Sequence, residues 1–179
     1  MNNIKKYREL GRSIHSWACE KQHWLGEKEN ERVKRALIIT ELSEAIEADR
    51  NDRRLSESVL LRNDHYLRDY EYYLKGTLHE ELADAAIRTL DLWYYSVLNP
   101  RKVEAHSECW DCIDLFYQAI FPEQIYQLMR IIIHYPADRL LDAVDLIEIV
   151  ARDQGINLIQ EIERKMLYNY RKVDSKKSY

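Results

Sequence analysis

The sequence predicts an all-α protein, a bundle of helices joined by short connections. Three observations carry that expectation. Only four glycines and three prolines occur in 179 residues, too few for the many turns of a strand-rich fold. Apolar residues recur at helical spacing along most of the chain. The 46% apolar and 32% charged content suits a folded domain rather than a disordered chain, and the length suits a single domain, residues 1–179, that buries a core without staples.

The elements follow in order. A first helix is predicted over residues 3–22, where Ile4, Tyr7, Leu10, Ile14, Trp17 and Ala18 form a stripe that Gly26 interrupts. A second is predicted over 31–50. The charged, tyrosine-rich stretch 55–74 has a weak pattern and reads as a short helix or a loop. Thr77 with Glu80 forms a capping box that starts a third strong helix, which stops at Asn99–Pro100 because proline disfavours helical geometry in the residue before it. Segments 103–120, 123–134 and 137–153 read as three more helices, with Pro122 and Pro136 near helix starts. Gly155 separates them from a last helix over 158–172, and 174–179 reads as a frayed polar tail.

Charge and cysteines narrow the function classes. The 27 basic and 31 acidic residues leave a net charge of -4. Nucleic-acid binding usually needs clustered positive charge, so no nucleic-acid partner is expected. An acidic protein that binds a polyphosphate needs a cation to neutralise its ligand. Three cysteines, Cys19, Cys109 and Cys112, make an odd number, and residues 1–10 are too polar for a signal sequence. The longest apolar runs are too short to cross a bilayer. A reduced, cytoplasmic setting with no membrane partner is the expectation.

The carboxylates carry the chemistry. At about 100° per residue, Glu41 and Glu44 share a face of the second helix with Leu37, Ile38, Ala45 and Ala48, while Glu47 points away with Arg35 and Ser43. The third helix is apolar over most of its circumference, which marks it as buried. Its one polar strip is Glu81, Asp84, Arg88 and Asp91. Acids embedded in apolar stripes are costly to bury unless something pairs with them. Two pairs of carboxylates, each one helical turn apart, could share Mg²⁺, which prefers oxygen ligands and is commonly shared with substrate phosphates. The pattern E-x-x-[DE] also arises by chance, as Glu44–Glu47 and Asp49–Asp52 illustrate, and such pairs are commonly solvated helix faces.

Three segments together resemble a known family. Residues 38–50, IITELSEAIEADR, resemble the first motif of MazG-like nucleoside triphosphate pyrophosphohydrolases. Residues 80–92, EELADAAIRTLDL, resemble the second. Residues 155–171, GINLIQEIERKMLYNYR, resemble the last helix with its Lys-x-x-x-Asn signature, and the order is the family's. The stretch 15–24 resembles the family more weakly. The resemblance implies an all-α MazG-like core, completed by a homodimer or higher homo-oligomer. It implies hydrolysis of a nucleoside triphosphate to monophosphate and pyrophosphate, by attack of a metal-activated water on the α-phosphate. Carried over, Glu41, Glu44, Glu81 and Asp84 are the Mg²⁺ ligands, with Mn²⁺ able to substitute. Lys165 and Asn169 would contact phosphates or order the site, with Arg171 as an addition. Glu41 and Glu44 are the candidate bases, Glu44 the preferred one, and Lys165 would hold the charge of the leaving pyrophosphate. The chain departs from compact relatives by an inserted helical segment, about 96–153.

Other residues leave alternatives open. Trp24, and less so Trp17, could stack on a nucleobase, although such side chains are more often core or interface anchors. His106, Cys109 and Cys112 share a helical face and invite a zinc reading, with His134 as a remote fourth ligand; buried thiols are the plainer alternative. Arg88 and Asp91 could form an ion pair that orients the ligands or a structural one. Two other functions compete. One is a helical protein–protein interaction module without activity. The other is a di-iron bundle, which needs Glu-x-x-His on two helices; only Glu20-x-x-His23 matches.

Overall fold

The computed structural model describes residues 3–24, 31–55, 67–100, 116–117 and 119–176. These residues form helices, with no strand among them: α1 (Asn3–Glu20), α2 (Glu31–Arg50), α3 (Leu67–Tyr73), α4 (Leu78–Leu98), α5 (Phe121–His134), a 3₁₀ turn (Ala137–Arg139), α6 (Leu140–Asp153) and α7 (Leu158–Lys176). The all-α class is as expected. The predicted helix over 103–120, with His106, Cys109 and Cys112, lies almost wholly outside the described residues, as do Gly26 and most of the tyrosine-rich stretch. No helix among the described residues is long and apolar enough to cross a membrane.

With so few glycines, other residues turn the chain at helix ends. At the end of α1, the N–H of His23 reaches Ala18 O (2.9 Å) and that of Gln22 reaches Cys19 O (3.0 Å), with Gln22 at φ 63°. This is the paired closure that glycine usually makes possible. Thus α1 ends at Glu20, two residues short of the predicted span, and the chain turns at Gln22 rather than at Gly26. Asp52, at φ 51°, closes α2 in the same way, with the Arg53 N–H on Ala48 O at 2.9 Å. Gly155 does so after α6. At the start of α4, Thr77 Oγ1 accepts the Glu80 N–H at 3.3 Å. The Glu80 carboxylate reaches back one residue further than a standard capping box, to the Gly76 N–H at 2.6 Å.

Helix α4 is the axis of the bundle. It packs against α1, α2, α6 and α7. Leu78, Leu82, Ala85, Ala86, Leu90 and Leu92 are wholly buried. Each large side chain of this set contributes roughly 1.5–3 kcal/mol, and Leu90→Ala is expected to cost about 2–5 kcal/mol. Gly11 lets α1 approach closely, because a Cβ there would stand 3.2 Å from the Trp93 ring. A smaller core of Leu55, Tyr70, Leu74 and Tyr168 fastens α3 to α7, with Tyr70 and Tyr168 stacked at 4.1 Å.

Three expectations change. Arg35 does not point away from the core. It is buried, pairs with Glu31 and donates to Ile132 O and, at 2.8 Å, to Tyr135 O. A guanidinium there satisfies the carbonyls at the C-terminal end of α5, where a cation is favoured. Segment 137–153 starts as a 3₁₀ turn before α6. The last helix continues past 172 to Lys176, through part of the predicted tail.

A candidate metal cleft between two helices

Side by side, α2 and α4 bring three acids together. Glu41, Glu44 and Glu81 each offer a carboxylate oxygen, and these oxygens all lie within 4.8 Å of one another. Glu41 and Glu81 are buried and Glu44 is exposed. Among the described residues, no other set of three or more His, Cys, Asp or Glu side chains comes so close. Glu41 is compensated by Arg88, whose Nε donates at 2.6 Å. Glu81 meets no cation or hydrogen-bond donor among the described side chains. Burial, and then the charges of Glu80, Asp84, Glu44 and Glu41, push its carboxyl up to about 9.

Asp84, the fourth expected ligand, stands apart from this trio. Its Oδ2 lies 2.6 Å from Lys165 Nζ, and Lys165 also contacts the Glu80 carboxylate. Burial raises the Asp84 carboxyl to about 6 against the lowering effect of Lys165. Burial also works against the Lys165 ammonium, but Asp84 and Glu80 more than offset it and hold the group above its ordinary value. The stacked rings of Tyr70 and Tyr168 lie to one side of Nζ, their centroids 5.7 and 5.8 Å away, within cation–π range. Glu80 is therefore a site residue that the sequence reading missed. Its capping role accounted for it locally, and its adjacency to Glu81 in the second motif was the available signal.

Two cavities meet at the Asp84–Lys165 pair. One, of about 360 Å³, contains the three clustered glutamates, Glu80 and the side chains of Arg53 and Lys75. Glu47 lines it too, 3.6 Å from Arg53, and so does not point away as expected. The other, of about 260 Å³, is lined by Trp17, His23, Lys34, Leu37 and Asn169, with Asp84, Arg88 and Lys165 on its inner wall. Asn169 thus lies one helical turn beyond Lys165, on the same face. Arg171 is exposed and lines neither cavity.

Trp24 also lines neither cavity. It stacks on Tyr95 at 4.1 Å, carries Lys34 Nζ 4.1 Å from its ring centroid and donates its indole N–H to Asp91 at 2.9 Å. Trp17 lines the smaller cavity in its place. Asp91 does not pair with Arg88, contrary to expectation: its second partner is His15 Nδ1 at 2.7 Å. Cys19 Sγ lies 3.5 Å from the other nitrogen, His15 Nε2. Burial, and then the charge of Asp91, raise the thiol above its ordinary value, so this Cys–His–Asp row holds a protonated thiol rather than a thiolate nucleophile.

The donor set fits a hard divalent cation. Three carboxylates on two helices suit Mg²⁺ or Mn²⁺, which take oxygen ligands. The Glu-x-x-His pairs of a di-iron centre are not part of the cluster. Comparison of the chain with family models, curated proteins and solved structures finds no match.

Proposed function

We propose that the chain is a Mg²⁺-dependent nucleoside triphosphate pyrophosphohydrolase of the MazG-like kind, cleaving substrate to a monophosphate and pyrophosphate. The observation that carries this reading is the cluster of Glu41, Glu44 and Glu81, with Glu81 buried among other carboxylates, opening beside a lysine that faces a second, partly aromatic cavity. Six carboxylates line that cavity against Arg53, Lys75 and Lys165, with Arg88 on Glu41, and a bound cation would balance the remaining excess.

Glu41, Glu44 and Glu81 would hold the ion. When bound, it supplies Lewis-acid charge stabilisation and eases deprotonation of water. The chain's own residues do the rest. Arg88 fixes the Glu41 carboxylate. Glu44, the exposed member of the trio, takes the proton of the attacking water. The water oxygen bonds to the α-phosphorus, the bond to the bridging oxygen breaks, and pyrophosphate leaves. Lys165, kept charged by Asp84 and Glu80, balances the negative charge that builds on the departing group. Asn169 and Trp17 border the cavity suited to the nucleoside end. The homo-oligomer that the resemblance implies belongs to the same proposal.

The test is a panel of ribo- and deoxynucleoside triphosphates with Mg²⁺ or Mn²⁺, scored by monophosphate and pyrophosphate release. Glu41→Gln and Asp84→Asn are expected to abolish turnover with the helical circular-dichroism signal intact. No turnover on any substrate, or full Mg²⁺-dependent activity in both variants, rejects the proposal. The first of those outcomes would favour the non-catalytic interaction module.

A further inference from the structure

The acidic cleft has a basic rim. Arg53 follows the end of α2 and Lys75 precedes α4, and both line the cavity that holds Glu41, Glu44 and Glu81. Neither lies in the three segments that carry the family resemblance. Arg53 is held from several sides. Its carbonyl accepts the N–H of Leu78, the first residue of α4, at 2.9 Å. Its Nη2 lies 3.6 Å from Glu47. Its Nη1 sits over Gly76, where an added Cβ would come within 3.2 Å, at a φ of +73° that favours glycine. The guanidinium and the turn are therefore fitted to each other. Lys75 is exposed and belongs to no ion pair among the described residues.

These two cations sit where the proposed substrate needs them. The nucleoside end belongs in the cavity on one side of the Asp84–Lys165 pair. The phosphate chain then runs past that pair into the acidic cavity, whose wall is otherwise hostile to anions. Its far end meets Arg53 and Lys75, a planar fork and a point charge, both suited to phosphate oxygens. Resting on the pyrophosphohydrolase reading, we propose that Arg53 and Lys75 grip the terminal phosphates, the pyrophosphate to be released, and so select triphosphates over diphosphates.

Calorimetric titration of inorganic pyrophosphate in excess Mg²⁺, alongside Mg²⁺ alone, tests this. Arg53→Gln and Lys75→Ala are each expected to weaken pyrophosphate binding about tenfold, the scale of one charge-assisted contact, with Mg²⁺ affinity unchanged. The ratio of kcat/KM for tri- over diphosphate should fall by a similar factor. If Arg53→Gln loses helical signal, Lys75→Ala, which alters only an exposed side chain, decides alone. Pyrophosphate binding that survives unchanged in the variants overturns this inference and leaves the pyrophosphohydrolase reading intact. A wild-type chain that binds no pyrophosphate with Mg²⁺ present overturns both.

Discussion

Glu81 and Asp91 sit on one polar strip of α4, about three turns apart, and both are buried. Their surroundings differ in kind. Asp91 receives the His15 Nδ1 at 2.7 Å and the Trp24 indole N–H at 2.9 and 3.0 Å to its two oxygens. Glu81 faces four other carboxylates. Burying a charge is tolerable when donors satisfy it and costly when they do not. Asp91 is therefore complete as it stands, a structural tie between α4, α1 and the segment after α1. Glu81 is complete only with a proton or a cation. Burial alone does not distinguish a tie from a site; the inventory of partners does.

The comparison breaks most sharply if each acid is made neutral in turn. Glu81→Gln should lower Mg²⁺-dependent turnover by more than the roughly 10–100-fold that losing an outer hydrogen-bonded partner of a metal ligand costs. Its melting temperature without metal should stay the same or rise, because a neutral amide replaces a group already inclined to hold a proton. A marked loss of stability with turnover preserved would place Glu81 in the class of Asp91.

Asp91→Ala should do the reverse. It strands the His15 and Trp24 donors, each worth about 1–3 kcal/mol when left unsatisfied. A loss of about 3 kcal/mol is expected, read as a lower midpoint in chemical denaturation, with Mg²⁺ affinity unchanged in the folded protein. Weakened Mg²⁺ binding at unchanged stability would show that the two acids act as one site. His15→Phe, which removes the donor along with its need for a partner, should cost less than Asp91→Ala.

What the chain reveals before folding, and what it hides, divides along the same line. The axis helix is legible: the cap at Thr77, the apolar circumference and the stop at Asn99–Pro100 are local features, and α4 begins and ends where they place it. The facing of Glu41 and Glu81 is legible as well, since each needs only its own helical wheel. Partner choice is not. A wheel offers Arg88 its neighbour Asp91, three residues away, but α2 delivers Glu41 and α1 delivers His15. Arg35 likewise looks outward on its own helix and is buried because α5 ends against it. Glu80 was hidden by its own local role. A cap explains it fully until α7 arrives with Lys165.

The smallest expected effect is a slope with pH, and it separates the two acids without a mutation in either. Glu81 is ionised in the unfolded chain above about 4.5 but holds its proton in the fold up to about 9. Over that window the folded state binds more protons, so stability must fall as pH rises. Asp84, raised from 3.8 to about 6, adds to the fall only at the acid end. His79 opposes it there. Burial, then Arg54 and Arg164, lower its imidazole from 6.5 to about 4, so it stays neutral in the fold and its contribution is lost as pH drops through that range. Between pH 6.5 and 9 the decline due to Glu81 should emerge, seen as a falling melting temperature in metal-free buffer. Saturating Mg²⁺ should reduce or reverse it, because the cation competes with the proton and binds better as pH rises. In Glu81→Gln the decline should vanish. A metal-free wild-type chain whose stability is level from pH 6.5 to 9 would mean that Glu81 already has its partner, as Asp91 does.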